Sequence, residues 1–257
     1  MDINIEKAFS FVKEDPKWGK KLAIGGFLTT LLLLVLCIPF MILPFITSVP
    51  LYVAIIATCS VFTVAVMFAL VGYPFLVIYN RIHQNEEFLP CWKNFFNIIF
   101  AGIKVSIGHF FFILPVMFLF ALIWLIFLGA VSLGASVLSI FIIFFGFVLI
   151  YTLVGLTTIY ALLYPLMCGA FTLDFNVFSF INFKKGWALL KENWLNYLIL
   201  VLFIVAVCLV FHFAAMALFF TVAGVILIPW LCFYASLVCA ELVAQFVNSK
   251  IKDRTQD

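Results

Sequence analysis

The fold is decided by residues 22–80, which read LAIGGFLTTLLLLVLCIPFMILPFITSVPLYVAIIATCSVFTVAVMFALVGYPFLVIYN and contain no charged side chain. Two further stretches, 105–173 and 193–240, are also free of charge. All 14 Lys and Arg residues therefore fall in the four segments that remain, which are 1–21, 81–104, 174–192 and 241–257. A charged side chain at the centre of a bilayer costs roughly 2.5–3.5 kcal/mol on insertion scales, so charges gather at the water-facing ends of membrane helices. The pattern predicts a protein that crosses the membrane several times.

The composition excludes a soluble protein. Hydrophobic residues make up 67% of the chain and charged residues 10%, whereas about a quarter of the residues are charged in soluble domains. No hydrophilic stretch is long enough for a separate domain, so we expect one integral membrane domain over residues 1–257. The net charge is +3, and the cations that produce it lie beside the apolar stretches, where they meet lipid headgroups. This distribution does not indicate a nucleic-acid partner. The seven Cys residues show no metal-binding spacing, and we expect neither a metal nor a cofactor.

Each charge-free stretch is long enough for two crossings, because a helix needs about 20 apolar residues to cross the bilayer core. Residues that favour turns divide the stretches at 44–50, at 129–136 and near 221–224. The sequence therefore predicts an all-α transmembrane bundle of six spans arranged as three hairpins, at about 22–44, 51–79, 107–129, 137–164, 197–220 and 225–247.

All the cations then lie on one side of the membrane. By the positive-inside rule, we expect both termini to be cytoplasmic and the protein to reside in the cytoplasmic (inner) membrane. No small-residue cleavage pattern follows the mixed charges of the first residues, so the first span is expected to be retained. Residues 94–106 and 183–195 are amphipathic, which predicts two interfacial helices. A threefold repeat of interfacial helix plus hairpin is one hypothesis, and chance similarity is the other.

A further set of residues carries a resemblance to a known family. Within 72–104, a Gly-Tyr and a Leu-Pro-x-Trp motif stand among the matching positions Gly72, Tyr73, Ile78, Leu89, Pro90, Trp92, Phe95, Gly102 and Lys104. With Phe9, 15–18 and 160–194, the chain resembles the domain of unknown function 4013 family over nearly its whole length. It departs from that family at Lys93-Asn94, where acidic residues often follow the Trp. The resemblance implies a six-span prokaryotic membrane protein and implies no activity.

The segment 165–183, PLMCGAFTLDFNVFSFINF, is the first candidate site. Pro165 and Gly169 are expected to break the fourth span, and Asp174 and Asn176 follow among bulky aromatic residues. Broken helices with polar groups at membrane depth mark substrate sites in transporters. The alternative is a plain interfacial connector, with Phe side chains in the lipid and polar side chains facing water.

Glu241 and Gln245, in the last apolar run, form the second candidate site. An ionisable group inside a span is a functional candidate, because its burial must be compensated. The alternative is that the sixth span ends early and that Glu241 reaches the cytoplasmic interface. His212 is a further candidate polar residue in the fifth span, although no second metal ligand follows it at position i+3 or i+4.

The sequence contains none of the usual motifs for a zinc enzyme, a phosphate-binding loop or an intramembrane aspartyl protease, so we expect a protein that is not an enzyme. The leading hypothesis is an integral membrane protein with a permease-like or transport-associated role, which requires a polar cavity faced by the candidate polar residues. One alternative is a structural partner that binds other membrane proteins or itself through small residues such as Ala235, Cys239 and Ala240. The other is a lipid-directed intramembrane enzyme.

Overall fold

A computed structural model describes residues 3–42, 48–84, 88–132, 137–191 and 194–254. Over these residues the chain is almost entirely helical and contains no strand. The described part of the chain forms eight α-helices with the following bounds: α1 (Ile5–Ser10), α2 (Trp18–Ile42), α3 (Val49–Ile82), α4 (Phe95–Ser132), α5 (Val137–Asp174), α6 (Phe183–Lys191), α7 (Trp194–Phe219) and α8 (Val222–Arg254).

Six of these helices are long and apolar enough to cross a membrane, namely α2, α3, α4, α5, α7 and α8. The predicted all-α bundle of six spans is therefore confirmed. Consecutive spans pack as α2–α3, α4–α5 and α7–α8, as three hairpins require. The third hairpin turns at Thr221, whose hydroxyl oxygen accepts a 2.9 Å hydrogen bond from the Gly224 amide. Residues 44–47 and 133–136, in the other two predicted turns, lie outside the described residues.

The buried core lies towards one end of the bundle, where α2, α4 and α7 begin and α3, α5 and α8 end. We call this the basic end, because the Lys and Arg residues of the chain lie there. Large side chains that are fully buried near it include Phe11, Tyr73, Phe171, Phe180 and Phe246. Farther from this end, the spans leave large apolar side chains exposed on their outer faces, as a lipid-facing surface requires.

The prediction of a separate interfacial helix at 94–106 is wrong. A short 3-10 turn at Trp92–Asn94 leads directly into α4, which runs as one helix from Phe95 to Ser132. The beginning of α4 packs closely on α3, since a Cβ atom added to Gly102 would lie 1.8 Å from the carbonyl oxygen of Phe68. This close packing makes the segment part of the third span rather than an element on the membrane surface.

The prediction that Pro165 and Gly169 break the fourth span is also wrong, because α5 continues through both residues to Asp174. Gly169 lies against α8, where an added Cβ atom would be 2.9 Å from Cγ2 of Val247. Prolines are tolerated in membrane helices when neighbouring groups compensate the lost hydrogen bond. The residue that follows the helix, Phe175, has a left-handed backbone (φ 54°), which is typical of a helix C-terminus.

The second predicted interfacial helix exists as α6, which ends at Lys191. Its buried residues Gly186 and Leu189 face α5, and its other side chains are largely exposed. Residues 192 and 193 lie outside the described residues, and Trp194 already begins α7. The threefold repeat stays a prediction, and its second unit has no separate helix of this kind.

Candidate functional site

The glycine of the Gly-Tyr motif lies where α3 and α4 cross. A Cβ atom added to Gly72 would be 2.2 Å from the carbonyl oxygen of Ile98 and 2.5 Å from the backbone nitrogen of Gly102. Both clashes are with backbone atoms, so the two helices would have to move apart. Small residues let membrane helices approach closely and gain van der Waals contact. The two glycines are therefore packing residues rather than ligand-binding ones.

The tyrosine of the same motif ties α3 to the loop that precedes α4. The Tyr73 hydroxyl donates a 3.0 Å hydrogen bond to the carbonyl oxygen of Pro90. Its ring stacks on Trp92, with ring centroids 4.5 Å apart. The Trp92 indole N–H in turn donates to the Lys21 carbonyl oxygen at 2.9 Å. The Leu-Pro-x-Trp motif thus joins α2, α3 and the loop into one packed unit.

A buried ion pair completes this unit. The Lys21 ammonium lies 2.8 Å from the Asp15 carboxylate and donates a 2.5 Å hydrogen bond to the Leu89 carbonyl oxygen. The other carboxylate oxygen of Asp15 accepts from the Lys17 backbone N–H at 2.8 Å. Asp15 is 3% exposed and Lys21 is 6% exposed, so each charge depends on its partner for compensation. The pair therefore fixes the start of α2 against the loop.

Glu241 is also buried and paired. The helix α8 continues through it to Arg254, and the position along this helix at which the sixth span ends stays a prediction. The Glu241 carboxylate is buried, and it lies 2.8 Å from Nε of Arg81, next to the end of α3. Arg81 also pairs with Glu14 at 2.8 Å, and its guanidinium lies 4.2 Å from the ring centroid of Phe88. Arg81 thereby links three separate segments at the basic end.

Gln245 extends this network towards the N-terminus. Its amide nitrogen donates to Glu241 at 3.3 Å, and its amide oxygen accepts from the Asn4 backbone N–H at 2.8 Å. The Asn248 side chain donates to the Arg81 carbonyl oxygen at 3.2 Å. Each of these polar groups has a partner inside the protein. We call Arg81, Glu241, Gln245 and Glu14 the basic-end clamp, since they hold the N-terminal segment, α3 and α8 together.

Asp174 and Asn176 lie together where α5 gives way to α6. The Asp174 carboxylate pairs with Lys185 of α6 and accepts a 2.9 Å hydrogen bond from the Ser179 hydroxyl. The Asn176 backbone N–H donates to Asp174 at 3.2 Å, while its side-chain oxygen accepts from the Phe178 backbone N–H at 3.0 Å. These bonds are the caps and turns of a connector, so the geometry favours the connector over a broken-helix substrate site.

His212 stands apart from both groups. It is exposed on α7, and its ring lies edge-on to Phe213 with centroids 6.1 Å apart. The structure therefore brings Asp174 together with Asn176, and Glu241 together with Gln245. It does not bring these pairs and His212 into one site.

A cavity of about 350 Å³ lies between α3, α5, α7 and α8. The helix α5 packs on α3 and α8, and α7 packs on α8, whereas α5 and α7 make little contact with each other. The hydroxyl of Tyr197 bridges the two by donating to the Leu162 carbonyl oxygen. We call this cavity the α5–α7 groove.

The walls of the groove are apolar. Of the described residues that line it none is charged, and none is a candidate polar residue from the sequence. Its Ser236 hydroxyl is already used, because it donates to the Phe233 carbonyl oxygen at 2.6 Å. Pro74 and Pro165 both line the groove, and neither can donate the helical hydrogen bond of an ordinary residue. The candidate polar residues Asp174, Asn176, Glu241, Gln245 and His212 therefore do not face this cavity. A smaller cavity of about 230 Å³, next to the loop that precedes α4, is lined partly by Asn80, Asn94 and Asn97, none of which is a candidate either.

The fold and these contacts define a multi-pass membrane protein. A family model described as "Protein of unknown function (DUF4013)" matches residues 55–220, which is more than half of the chain. The chain therefore belongs to this family, as the Gly-Tyr and Leu-Pro-x-Trp residues indicate. Residues 9 and 15–18 lie outside the matched range, so their share of the resemblance stays a prediction. No curated protein and no solved structure matches the chain.

Sequence reasoning misses Arg81 and the groove. Arg81 is visible as the first cation after the charge-free stretch 22–80, but nothing local points to Glu241 as its partner. The signal for the groove is the presence of proline inside a charge-free stretch, at Pro74 and Pro165. A proline in such a stretch is equally consistent with a break in the helix and with a residue that lines a cavity, so it does not predict the groove.

Proposed function

We propose that the protein is a permease-like or transport-associated membrane protein that is not an enzyme and takes an alkyl chain of a lipid-like molecule into the α5–α7 groove. The observation that carries this proposal is the groove itself, whose volume of about 350 Å³ falls in the usual range of ligand pockets, about 300–1,000 Å³. Lipid tails are as apolar as the groove walls, so a chain can exchange between bilayer and groove with little change in solvation. We include in the proposal the cytoplasmic membrane as the location and the basic end as its cytoplasmic side.

A lipid-like substrate has better support than a polar solute. Asp174 and Glu241, the acidic candidates, are held in ion pairs at the basic end. Because Glu241 is buried, using it to bind a solute would require breaking a pair that compensates its charge. Asp174 is engaged in the connector between α5 and α6 by Lys185 and Ser179. An alkyl chain needs no such group.

An assembly partner is the second candidate function, and the positions of two small residues argue against it. Cys239 and Ala240, expected in a lipid-facing seam, line the groove instead. A partner helix could reach them only by entering between α5 and α7. Because a helix with its side chains is about 10–12 Å across, it needs a wider opening than an alkyl chain does. The groove therefore fits a chain better than a helix.

Transbilayer movement of a fluorescent phospholipid in proteoliposomes tests the proposal. Ile204 lines the groove, and its neighbour Val205 is 49% exposed on α7, outside the groove lining. We expect the wild-type protein to accelerate the loss of inner-leaflet fluorescence to a membrane-impermeant quencher. Ile204→Trp fills the groove and is expected to abolish the acceleration, whereas Val205→Trp is the matched control and is expected to retain it.

A second pair of variants provides an independent test in case Ile204→Trp does not fold. Val71→Trp fills the groove from α3, and Val64→Trp changes an exposed position of the same helix. Equal rates for the wild type, both groove variants and protein-free vesicles would overturn the permease-like role. A helix-length partner that protects groove residues from labelling would instead support the assembly function.

A further inference from the structure

The helix α6 is the direct connection between the two sides of the groove. The helix α5 ends at Asp174, α6 occupies Phe183–Lys191, and α7 begins at Trp194. A Cβ atom added to Gly186 would lie 3.0 Å from Sδ of Met167, in the last turns of α5. The connection therefore places α6 at the basic end, beside the point where α5 and α7 diverge.

The outer face of α6 carries two lysines around a tryptophan. Lys184, Trp187 and Lys191 follow one another at positions i, i+3 and i+7, which places them on one face of a helix. All three are exposed, Trp187 to 62%, while Gly186 and Leu189 are buried on the inner face. An exposed Trp at the end of a membrane bundle is typical of the headgroup region, where the ring is buried and its N–H stays hydrated.

The two outer lysines of this face differ from the third lysine of α6 in their pairing within the described part of the chain. Lys185, the remaining lysine of α6, is paired with Asp174 and also donates to the Ser179 hydroxyl at 3.0 Å. Among the residues that the structure describes, Lys184 and Lys191 have no acidic partner. Two exposed ammonium groups beside an interfacial Trp are complementary to a phosphate.

We propose that Lys184, Trp187 and Lys191 form a binding site for the headgroup of an anionic phospholipid. The two ammonium groups bind the headgroup phosphate, whose negative charge is not offset by a cation in the headgroup of an anionic lipid, and the alkyl chain of the same lipid enters the α5–α7 groove. The part concerning the chain rests on the proposed function above. The part concerning the headgroup rests on the outer face of α6 alone.

Native mass spectrometry of the full-length protein with equal amounts of phosphatidylglycerol and phosphatidylcholine tests this site. A lysine near an anionic lipid surface favours binding by about fivefold. We therefore expect the wild-type protein to retain phosphatidylglycerol in excess, and the excess to fall at least about fivefold in the K184Q/K191Q double variant. The matched control is K13Q/K93Q, which removes two exposed lysines of the basic end outside α6 and is expected to keep the excess.

Three outcomes would overturn the headgroup site. One is no preference for phosphatidylglycerol in the wild type, and another is equal loss in the two double variants, which indicates diffuse attraction. The third is displacement of the lipid by inorganic phosphate, which indicates an anion site that does not require a lipid. The two proposals can fail independently. In the same experiment, Ile204→Trp is expected to lower the total amount of bound lipid, which tests the groove. K184Q/K191Q is expected to change the ratio of the two lipids, which tests the headgroup site.

Discussion

The guanidinium of Arg81 and the carboxylate of Glu241 meet at 2.8 Å, although 160 positions separate them in the sequence. Since Glu241 is 3% exposed, its charge depends on Arg81 for compensation. The pair joins the end of α3 to the middle third of α8, and Glu14 adds the N-terminal segment through the same guanidinium. The basic end is thus held together by charge as well as by packing.

The first prediction concerns this pair. Arg81→Met leaves Glu241 buried without a counter-charge, and we expect a loss of about 3–5 kcal/mol in the free energy of unfolding. Glu241→Leu is expected to cost less, because Arg81 keeps Glu14 as a partner. Denaturant titration of the purified protein in detergent measures both variants.

The double variant Arg81→Met/Glu241→Leu separates the pair from other effects. We expect it to be less destabilised than the sum of the single variants, since no buried charge is left unpaired and Glu14, which loses Arg81, is exposed to water. Glu6→Gln, at an exposed position of α1, is the control and is expected to stay within about 0.5 kcal/mol of wild type. Strict additivity of the two single changes would contradict the pairing.

The second prediction concerns the crossing of α3 and α4. Gly102→Ala places a Cβ atom 1.8 Å from the Phe68 carbonyl oxygen, so we expect a marked loss of folded protein after solubilisation. Gly155→Ala is the matched control, because no atom lies within 4 Å of its added Cβ. Alanine favours a helix over glycine by roughly 1 kcal/mol, so this control is expected to be neutral or stabilising. Size-exclusion chromatography after heating compares the two, and similar profiles would speak against the close crossing.

The third prediction isolates one hydrogen bond of the family motif. Tyr73→Phe keeps the stacking on Trp92 and leaves the buried Pro90 carbonyl oxygen without its donor. We expect a cost of about 1–3 kcal/mol in the free energy of unfolding. Tyr151→Phe removes a hydroxyl from a residue that is 77% exposed and is expected to cost almost nothing. Equal effects of the two substitutions would show that the hydroxyl of Tyr73 is dispensable.

The fourth prediction concerns orientation. Ser132 ends α4 on the side opposite the basic end, and Asn182 precedes α6 at the basic end. Reporter fusions after these residues are expected to give a cytoplasmic signal at Asn182 and a signal from the far side at Ser132. A cytoplasmic signal at Ser132 would reverse the orientation and would leave the helix packing unaffected.

The spans could be predicted from the sequence, because the cost of burying a charge in the bilayer excludes charged residues from a span, and their absence is visible in the local composition. Residues 22–80 needed no tertiary information to indicate two crossings, and the same holds for the turn near Thr221. The prediction that Pro165 breaks the fourth span was wrong, because it depended on tertiary contacts rather than on local composition. Whether a proline breaks a helix depends on what packs around it, and α5 is supported there by α3 and α8.

The candidate polar residues also show which features can be predicted from local sequence and which depend on tertiary contacts. Sequence identified Glu241 and Asp174 as unusual, since both lie beside charge-free stretches. Their partners, Arg81 and Lys185, follow from tertiary contacts between helices. The groove was not predictable either, because it arises from the small contact between α5 and α7 rather than from any one segment. The sequence therefore indicates where charges are unusual, and only the fold shows that they are paired.

Residue-resolved photolabelling tests the central claim, that the α5–α7 groove takes an alkyl chain. The probe is a phospholipid with a diazirine at mid-chain, reconstituted with the full-length protein and mapped by mass spectrometry. We predict labels at the groove residues Cys168 and Cys239 that disappear in Ile204→Trp, while labels at the exposed Val210 persist. Labels at Val210 alone, or groove labels that Ile204→Trp leaves unchanged, would contradict the account.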